Sequence, residues 1–207
     1  QGGKPIGSFQ LVQAMLAGDP PVEFVVVHTE MAEDAHRVDA LLDIGGAGVL
    51  AHGARLLREH EVHAAVWACT SGSFVFGWDG ARQQVAGVGA AAGVPASSTS
   101  FAFVNAVRHM GARRVAVAAT YPADVAERFA GFLAHAGIEV VSLASRGVIT
   151  AAEVGTFDRE DVLEFVGAHD HPDAEVVLVP DTALHTVAWL AELARLLGKP
   201  VLTANQV

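Results

Sequence analysis

Two short segments of this sequence place residues capable of chemistry directly after apolar runs. In the first, "WACTSGSFVFG" (67–77), the single cysteine of the chain, Cys69, precedes small hydroxylated residues and glycine. The N–H and hydroxyl groups of such a turn can bind an anion, and they would also stabilise a thiolate and lower the thiol pKa from about 8.5. A lone cysteine after an apolar run can equally be a small core side chain, and the local pattern leaves both interpretations open.

The second segment is "VPDTALHT" (179–186), in which Asp181 follows another apolar run. Aspartate is favoured here as a helix N-cap, and an N-cap carboxylate at a strand end can also face a ligand cleft. His185 comes one helical turn later, and we expect it to be a core or surface residue. The histidines of "HEVH" (60–63) and "HDH" (169–171) lie at helix ends among charged residues, so we expect no metal site.

The elements that would position these segments alternate between short apolar runs and longer amphipathic ones. The apolar runs predict strands over 22–29, 62–69, 113–120, 138–145, 174–180 and 200–204. The amphipathic runs predict helices over 32–43, 47–61, 80–93, 101–112, 123–137, 159–170 and 183–198, with Gly137 and Gly198 at C-caps. Strands that are apolar on both faces are typical of a parallel sheet covered by helices, so the predicted fold class is α/β, doubly wound. Ligands of such sheets bind at the carboxyl ends of strands, where Cys69 and Asp181 would both lie.

The two halves of the chain repeat this arrangement of an apolar strand followed by a reactive turn. No linker rich in glycine, serine or proline separates them. We therefore predict two interlocked lobes, each with a mostly parallel sheet flanked by helices, that face each other across a cleft. The first lobe is predicted to comprise residues 1–93 plus 199–207, and the second lobe residues 94–198.

Composition and charge restrict the classes of partner. Of the 207 residues, 52% are hydrophobic and 17% charged, which indicates an extensive core. The net charge of −10 argues against nucleic acid or an anionic membrane as a partner. No apolar run approaches the roughly 18 residues of a membrane span, and the first residues do not have the pattern of a signal peptide. A single cysteine cannot form an internal disulfide, so we expect a cytoplasmic protein.

Longer segments resemble the Asp/Glu racemase superfamily, in particular its branch of maleate cis-trans isomerases and arylmalonate decarboxylases. The resemblance covers nearly the whole chain and is carried by "ACTSGSFVFG" (68–77), "SSTSFAFVNAVRHMGARRVAVAATYPADVAERFAGFL" (97–133), "GVIT" (147–150) and "GKPVLTANQV" (198–207). It implies two pseudo-symmetric α/β lobes with a small carboxylic acid bound between them. It also implies catalysis without a metal or an organic cofactor, and a homodimer or higher homo-oligomer.

The resemblance assigns roles to four residues of the first and central segments. Cys69 matches the first-lobe cysteine of the isomerases and racemases, which is a proton carrier or a nucleophile on a double bond. Thr70 and Ser71 match donors to the substrate carboxylate, and Tyr121 matches a tyrosine that also binds that carboxylate.

The second turn departs from the family pattern. Asp181 stands where the second-lobe cysteine would be, with Thr182 and Ala183 beside it as backbone N–H donors to the substrate. Arylmalonate decarboxylases keep only the second cysteine and have glycine at the first position, which is the reverse of this chain. Relatives also begin with a further strand and continue beyond "NQV" into a helix, so we expect that the given sequence is not the whole polypeptide.

Asp181 determines which reaction is open to Cys69. Replacing a thiol by a carboxyl moves the reference pKa from about 8.5 to about 3.9, so Asp181 would need a raised pKa to donate a proton at neutral pH. As an anion about 4 Å from a substrate carboxylate it would cost about 4 kcal/mol at an effective dielectric of 20. That cost would prevent tight binding of a dicarboxylate unless a proton is shared. Because the Cys69 turn resembles the isomerase branch most, the resemblance implies an isomerase that acts on a maleate-like acid through an enediolate-like intermediate, with Asp181 as the second acid/base. Decarboxylation of a malonate-type acid, racemisation, a cationic substrate and a non-catalytic small-acid binding protein stay open as alternatives.

Overall fold

The computed structural model describes residues 22–207 and contains two separate parallel sheets. The smaller sheet pairs two short strands, β1 (Ala65–Trp67) and β2 (Ala96–Ser98). The larger sheet has the order β4-β3-β5-β6 and consists of β3 (Arg114–Ala119), β4 (Glu139–Ser145), β5 (Val176–Val179) and β6 (Val201–Thr203). All of these pairings are parallel, which confirms the predicted α/β class with parallel sheets.

Helices connect and cover the strands, as parallel pairing requires, because a parallel crossover needs a long connection. In chain order they are α1 (Val38–Ile44), α2 (Ala47–Leu57), α3 (Ser71–Phe74), α4 (Gly77–Ala92), α5 (Thr99–His109), α6 (Ala123–His135), α7 (Ala151–Val154), α8 (Arg159–Ala168), a 3₁₀ turn (Val187–Trp189) and α9 (Leu190–Leu197). Gly198 caps α9 with φ 63°, as predicted. Gly137 also has positive φ and follows the C-cap of α6 by one residue.

The larger sheet lies between two apolar layers, because its central strands are apolar on both faces. Val115 and Val117 of β3 pack into one cluster with residues of α5 and α6. Ala116 and Ala118 face the opposite way and join a second cluster that includes residues of α8 and α9. This alternation is the period-2 geometry of a strand, and it explains why the run around β3 contains no polar break.

The predicted bounds are wrong in three places. The run 22–29 forms no strand, although its pattern is β-like, because no described neighbour pairs with it. The predicted helix over 32–43 begins only at Val38, since the preceding residues run across the larger sheet's loops. The predicted helix over 183–198 is a turn, a 3₁₀ turn and then α9.

The C-terminal strand also differs from the expected division into lobes. The segment 199–207 was expected with the first lobe, yet its strand β6 pairs with β5 in the larger sheet. In the opposite direction, β2 lies within 94–198 but pairs with β1 in the smaller sheet. Each sheet therefore includes a strand from the part of the chain that was predicted to belong to the other lobe. The remaining lobe boundaries stay predictions, and residues 1–21 lie outside the described residues.

One stretch, Val38–Leu57, has the length and the mean hydropathy of a membrane span, contrary to the expectation that no run comes near that length. Its backbone is interrupted between α1 and α2, where Gly45 and Gly46 lie outside both helices. Leu41 and Leu50 from its two halves are buried in apolar clusters. A helix of a globular core meets the same criteria of length and composition.

Candidate active site

Cys69 lies in a turn that joins β1 to the short helix α3. Its Sγ accepts a hydrogen bond from the Gly72 N–H at 3.4 Å, and the Ser71 Oγ is 3.9 Å away. Thr70 and Ser71 are buried, while Cys69 is half-buried. The Thr70 hydroxyl has no hydrogen-bond partner. The turn therefore gathers a thiol and two buried hydroxyls at the carboxyl end of β1.

The end of β2 and the start of α5 fix this turn from the side. Ser100 Oγ donates to the Thr70 carbonyl at 2.9 Å, and Ser73 Oγ donates to Ser98 Oγ at 3.0 Å. Thr99 Oγ1 donates to the Trp67 carbonyl at 3.4 Å. Hydroxyls that bond backbone carbonyls in this way satisfy buried groups outside the regular ladders. The small polar residues at 98–100 thus hold the Cys69 turn in place.

Glycine is required at position 72 by the close approach of the thiol. A Cβ on Gly72 would lie 3.1 Å from Cys69 Sγ and 3.4 Å from the Trp67 ring. The Gly72 carbonyl is held by Gln84, whose Nε2 donates to it at 2.9 Å and to the Gly45 carbonyl at 2.8 Å. Gln84 therefore links α4 to the backbone of Gly72, whose N–H donates to the Cys69 thiol.

Asp181 lies two residues beyond β5 and is 3% exposed. Its Oδ2 accepts a short hydrogen bond from Thr120 Oγ1, and its Oδ1 accepts one from the Ala183 N–H at 2.9 Å. The second bond closes a turn at 181–184, so the side chain does not cap α9 as an N-cap would. Burial raises the pKa of the Asp181 carboxyl, and nearby His36 and its hydrogen bonds act in the opposite direction.

Tyr121, the only tyrosine, follows β3 and lies between the two turns. Its hydroxyl donates to the Pro180 carbonyl at 2.7 Å, and the side chain is 1% exposed. Burial raises the pKa of the Tyr121 phenol, the charges of Asp181 and Cys69 raise it further, and the nearby side chains of Ser71 and Thr70 act against them. Charges in both turns therefore affect the ionisation of the phenol.

The charge of Asp181 also acts on the Cys69 thiol. Burial raises the pKa of the Cys69 thiol, hydrogen bonds from Gly72 and Ser71 lower it, and the charge of Asp181 raises it. The prediction that the turn would lower this pKa is therefore wrong in its net sign, because burial outweighs the donors. The pKa of Asp181 is raised, in the direction that donation of a proton at neutral pH would need, and burial is the largest cause.

His36 also belongs to this cluster, and the sequence analysis did not single it out. It is 5% exposed, its Nε2 lies 4.0 Å from Asp181 Oδ2, and its ring packs edge-on against Tyr121 with centroids 4.9 Å apart. Its backbone N–H donates to the Ile149 carbonyl. Only a contact across more than 100 residues places this ring, which is why no local pattern indicated it.

The other predicted residues are placed as follows. Thr182 and Ala183 are half-buried, and the Ala183 N–H is bonded to Asp181. His185 is exposed, and the surface was one of the two environments expected for it, the other being the core. Over residues 22–207, no three histidine, cysteine or acidic side chains are grouped in a metal-binding arrangement.

The cluster is closed in this structure. Thr70, Ser71, Tyr121 and Asp181 are each at most 5% exposed, and Cys69 is half-buried. A surface depression of about 550 Å³ lies elsewhere, between α8 and α9, and its lining includes Glu164, Glu192 and Leu196 but none of these residues. The chemistry-bearing side chains therefore meet away from that depression.

The sequence is similar to known proteins. A sequence model of the arylmalonate decarboxylase family matches residues 23–207. The chain is 32% identical over 117 residues to an arylmalonate decarboxylase from Bordetella bronchiseptica, a match that covers 56% of this chain and 49% of that protein. It is 30% identical over 113 residues to a maleate isomerase from Alcaligenes faecalis, covering 54% of this chain and 44% of the relative. The matches span about half the length of these curated relatives.

The fold is also shared with a solved structure. A cysteine-to-serine variant of the Nocardia farcinica maleate cis-trans isomerase, which contains a covalently bound succinylcysteine intermediate, superposes with a TM-score of 0.80. The superposition covers 96% of this chain and 82% of that chain at 20% identity. At that identity the likeness establishes the fold of residues 22–207 and leaves the chemistry to be argued from the site.

Proposed function

The chain belongs to the arylmalonate decarboxylase family, and from that premise we propose that it is a cofactor-independent enzyme acting on a small carboxylic acid through Cys69 and Asp181. The observation that carries this proposal is the electrostatic coupling of a half-buried thiol to a buried carboxyl at the ends of strands in two different sheets. Two such groups, each with a raised pKa, are suited to exchanging a proton with a substrate bound between them.

The reaction that this pair supports best is the cis-trans isomerisation of a maleate-like acid. In this proposal Asp181 accepts the thiol proton of Cys69, and the sulfur adds to one carbon of the double bond. The displaced electron pair moves towards the adjacent carboxylate as an enediolate, and Asp181 returns the proton to the second carbon. Rotation about the resulting single bond and reversal of these steps release the trans acid and restore both side chains.

Three neighbouring groups support this mechanism. The unpaired buried hydroxyl of Thr70 and the hydroxyl of Ser71 are available to the oxyanion that develops on the substrate. Tyr121 lies between the two turns. Its hydroxyl, which donates to the Pro180 carbonyl in this structure, would instead donate a hydrogen bond to the substrate. The backbone N–H of Thr182 is proposed to bind the acid on the other side, together with that of Ala183 once its bond to Asp181 is exchanged for the substrate.

Precedents in relatives favour both the first choice and one alternative. The Nocardia farcinica isomerase holds a succinylcysteine on the same fold, which supports thiol addition, and one curated relative is a maleate isomerase. The other curated relative is an arylmalonate decarboxylase, which favours decarboxylation, or racemisation through the same kind of enediolate, as the second candidate. In that reaction Cys69 would protonate the enediolate carbon after loss of carbon dioxide.

One experiment separates these possibilities. The full-length protein is incubated with maleate, an arylmalonate and amino acids in D₂O, and each is followed by NMR beside the Cys69→Ala variant. We expect fumarate from maleate, with at least about a 10³-fold loss in Cys69→Ala, because the nucleophile is removed. Conversion of the arylmalonate alone would favour the decarboxylase.

Two outcomes contradict the proposed enzyme. Conversion that is undiminished in Cys69→Ala would exclude Cys69 as the reacting group. Thermal stabilisation by small acids without any turnover would favour the binding-protein alternative, and stabilisation by cationic ligands alone would indicate a substrate that pairs with Asp181. Each readout uses the same protein preparation, so the alternatives are compared under one condition.

Assembly, cofactor and compartment complete the proposal. We infer catalysis without metal or cofactor, in line with the resemblance of the Cys69 turn, and a homodimer or higher homo-oligomer. Light scattering of the purified protein tests the assembly, and retention of turnover after chelation tests the independence from metal. A cytoplasmic location is inferred from the single cysteine, which fits a reducing compartment.

A further inference from the structure

His36 is held in one orientation by the segment that follows β4. Its Nδ1 lies 3.0 Å from the Val148 carbonyl, and its backbone N–H donates to the Ile149 carbonyl. Asp34 fixes the same segment, because its two carboxylate oxygens accept the N–H groups of Ala151 and Ala152 at 2.8 and 2.9 Å. The residues before α1 therefore contact the segment that follows β4 of the larger sheet, and they do so through Asp34 and His36.

The contact with Val148 determines which nitrogen of the ring carries a proton. A carbonyl oxygen only accepts hydrogen bonds, so Nδ1 must be the N–H that donates to it. The other nitrogen, Nε2, then points at Asp181 Oδ2 across 4.0 Å. The ring is 5% exposed and the carboxyl 3% exposed, so little water screens this pair.

We propose that His36 is a positioning residue of the site: its bond to Val148 fixes the ring, and in the doubly protonated ring the Nε2–H faces the Asp181 carboxylate and stabilises it between proton transfers. The inference rests on the proposed function, because it assigns His36 to the turnover of Asp181. The family pattern places one reacting group in each turn. In this chain, where the group of the second turn is a carboxyl, His36 from the segment before α1 would be a third group of the site.

The physical need for such a group follows from the burial of Asp181. Burial raises the pKa of this carboxyl, and the largest opposing effect is the charge of His36, ahead of the hydrogen bonds from Thr120 and Ala183. Asp34 acts in the raising direction. The titratable groups that face the pair are Cys69, Tyr121 and Asp34. A carboxyl without His36 would keep its proton to higher pH and would accept the thiol proton less readily.

The first test is the pH dependence of turnover in His36→Gln, which keeps a side-chain donor but removes the imidazole. We expect the rise in turnover with pH, which reports ionisation of Asp181, to move to higher pH, and turnover at neutral pH to fall about tenfold or more. The exposed His60, changed to Gln, is the matched control and should leave the profile in place. A ring that only fills space would lower Tm in His36→Gln and leave the midpoint of the pH profile unchanged, which would overturn the proposal.

The second test needs no turnover, so it is independent of the proposed function. Carboxyl ¹³C NMR follows Asp181, assigned by its disappearance in Asp181→Asn, and its midpoint should lie at higher pH in His36→Gln than in wild type. Imidazole ¹⁵N NMR of the wild type should show both nitrogens of His36 protonated at the pH where Asp181 is ionised. An unchanged carboxyl midpoint overturns the inference.

Each combination of results is decisive. If no acid is converted but the carboxyl midpoint moves, the proposed function fails while the role of His36 stands. If turnover is found but neither the pH profile nor the carboxyl midpoint moves, the inference fails alone. If His36→Gln does not fold, the ¹⁵N spectrum decides, since a neutral ring has one N–H, would leave either the Val148 carbonyl or the Asp181 carboxylate without a donor, and would contradict the proposal.

Discussion

Cys69 and Asp181 follow strands of two different sheets, and the charge of Asp181 raises the pKa of the Cys69 thiol. The two groups therefore share one site although 111 residues separate them and no regular element joins them directly. Tyr121 lies in the same field, since the charges of both groups raise its pKa. A thiol, a carboxyl and a phenol that each favour their protonated form are the groups that the proposed proton exchange would use.

The first prediction concerns the cost of keeping Asp181 buried. Because its folded-state pKa is raised, the stability that it contributes is full below its unfolded pKa of about 3.9 and is lost as the pH rises through the folded value. Asp181→Asn should therefore raise Tm at neutral pH by a few degrees, since about 1 kcal/mol corresponds to about 2–4 °C for a chain of this size.

Thermal unfolding of both proteins between acid and neutral pH measures this difference. The advantage of the variant should shrink as the pH falls towards about 3.9, because the wild-type carboxyl then keeps its proton in both states. A variant that is less stable than wild type at neutral pH, by the same amount at every pH, would show that the hydrogen bonds of Asp181 outweigh its burial. Loss of turnover together with a gain in stability is the expected combination at a functional site.

The second prediction concerns the glycine beneath the thiol. In Gly72→Ala the new methyl group would lie 3.1 Å from Cys69 Sγ, so the thiol must shift. We expect turnover to fall about 10- to 100-fold, because small displacements of a reacting atom are costly, and stability to fall by about 1–3 kcal/mol.

Gly87→Ala is the matched control for this variant. Gly87 lies within α4 with no atom within 4 Å of the added methyl, so the change should stabilise the helix by about 0.5–1 kcal/mol and leave turnover intact. Equal turnover in the two variants would show that the position of the thiol does not limit the reaction.

The third prediction uses the single tyrosine. Its raised pKa means that the stability contributed by Tyr121 is present below the unfolded value of about 10 and is lost as the pH rises above it. Absorbance at alkaline pH should therefore show no tyrosinate at about pH 10 while the protein is folded. Ionisation should coincide with unfolding monitored by circular dichroism. A phenol that titrates near 10 with the fold intact would place Tyr121 outside the closed cluster.

Much of the larger sheet could be predicted because β3, β5 and β6 are buried on both faces. The run 176–180 has no polar residue before Asp181, so the end of β5 and the residues after it could be located from the sequence. The run 62–69 located the Cys69 turn in the same way. The pattern at 22–29 was equally β-like, yet a strand also needs a partner, and pairing is a property of the fold rather than of the segment.

The parts of the site that escaped prediction depend on distant contacts. His36 reaches Asp181 because its ring nitrogen bonds Val148, 112 residues away. The sign of the pKa shift at Cys69 depends on how deeply the turn is buried, and the donors visible in "CTSG" indicate only the opposing effect. Sequence patterns thus identified the groups that carry charge, whereas the folded structure determines which of them interact.

The most direct test of the central claim is the pKa of Cys69 in wild type and in Asp181→Asn. Because Cys69 is the only cysteine, the pH dependence of its alkylation by iodoacetamide reports this thiol alone. The account predicts a lower pKa in Asp181→Asn than in wild type, because the variant removes the negative charge that opposes the thiolate. An unchanged or higher pKa in the variant would contradict it, since Cys69 and Asp181 would then not act on each other in one site.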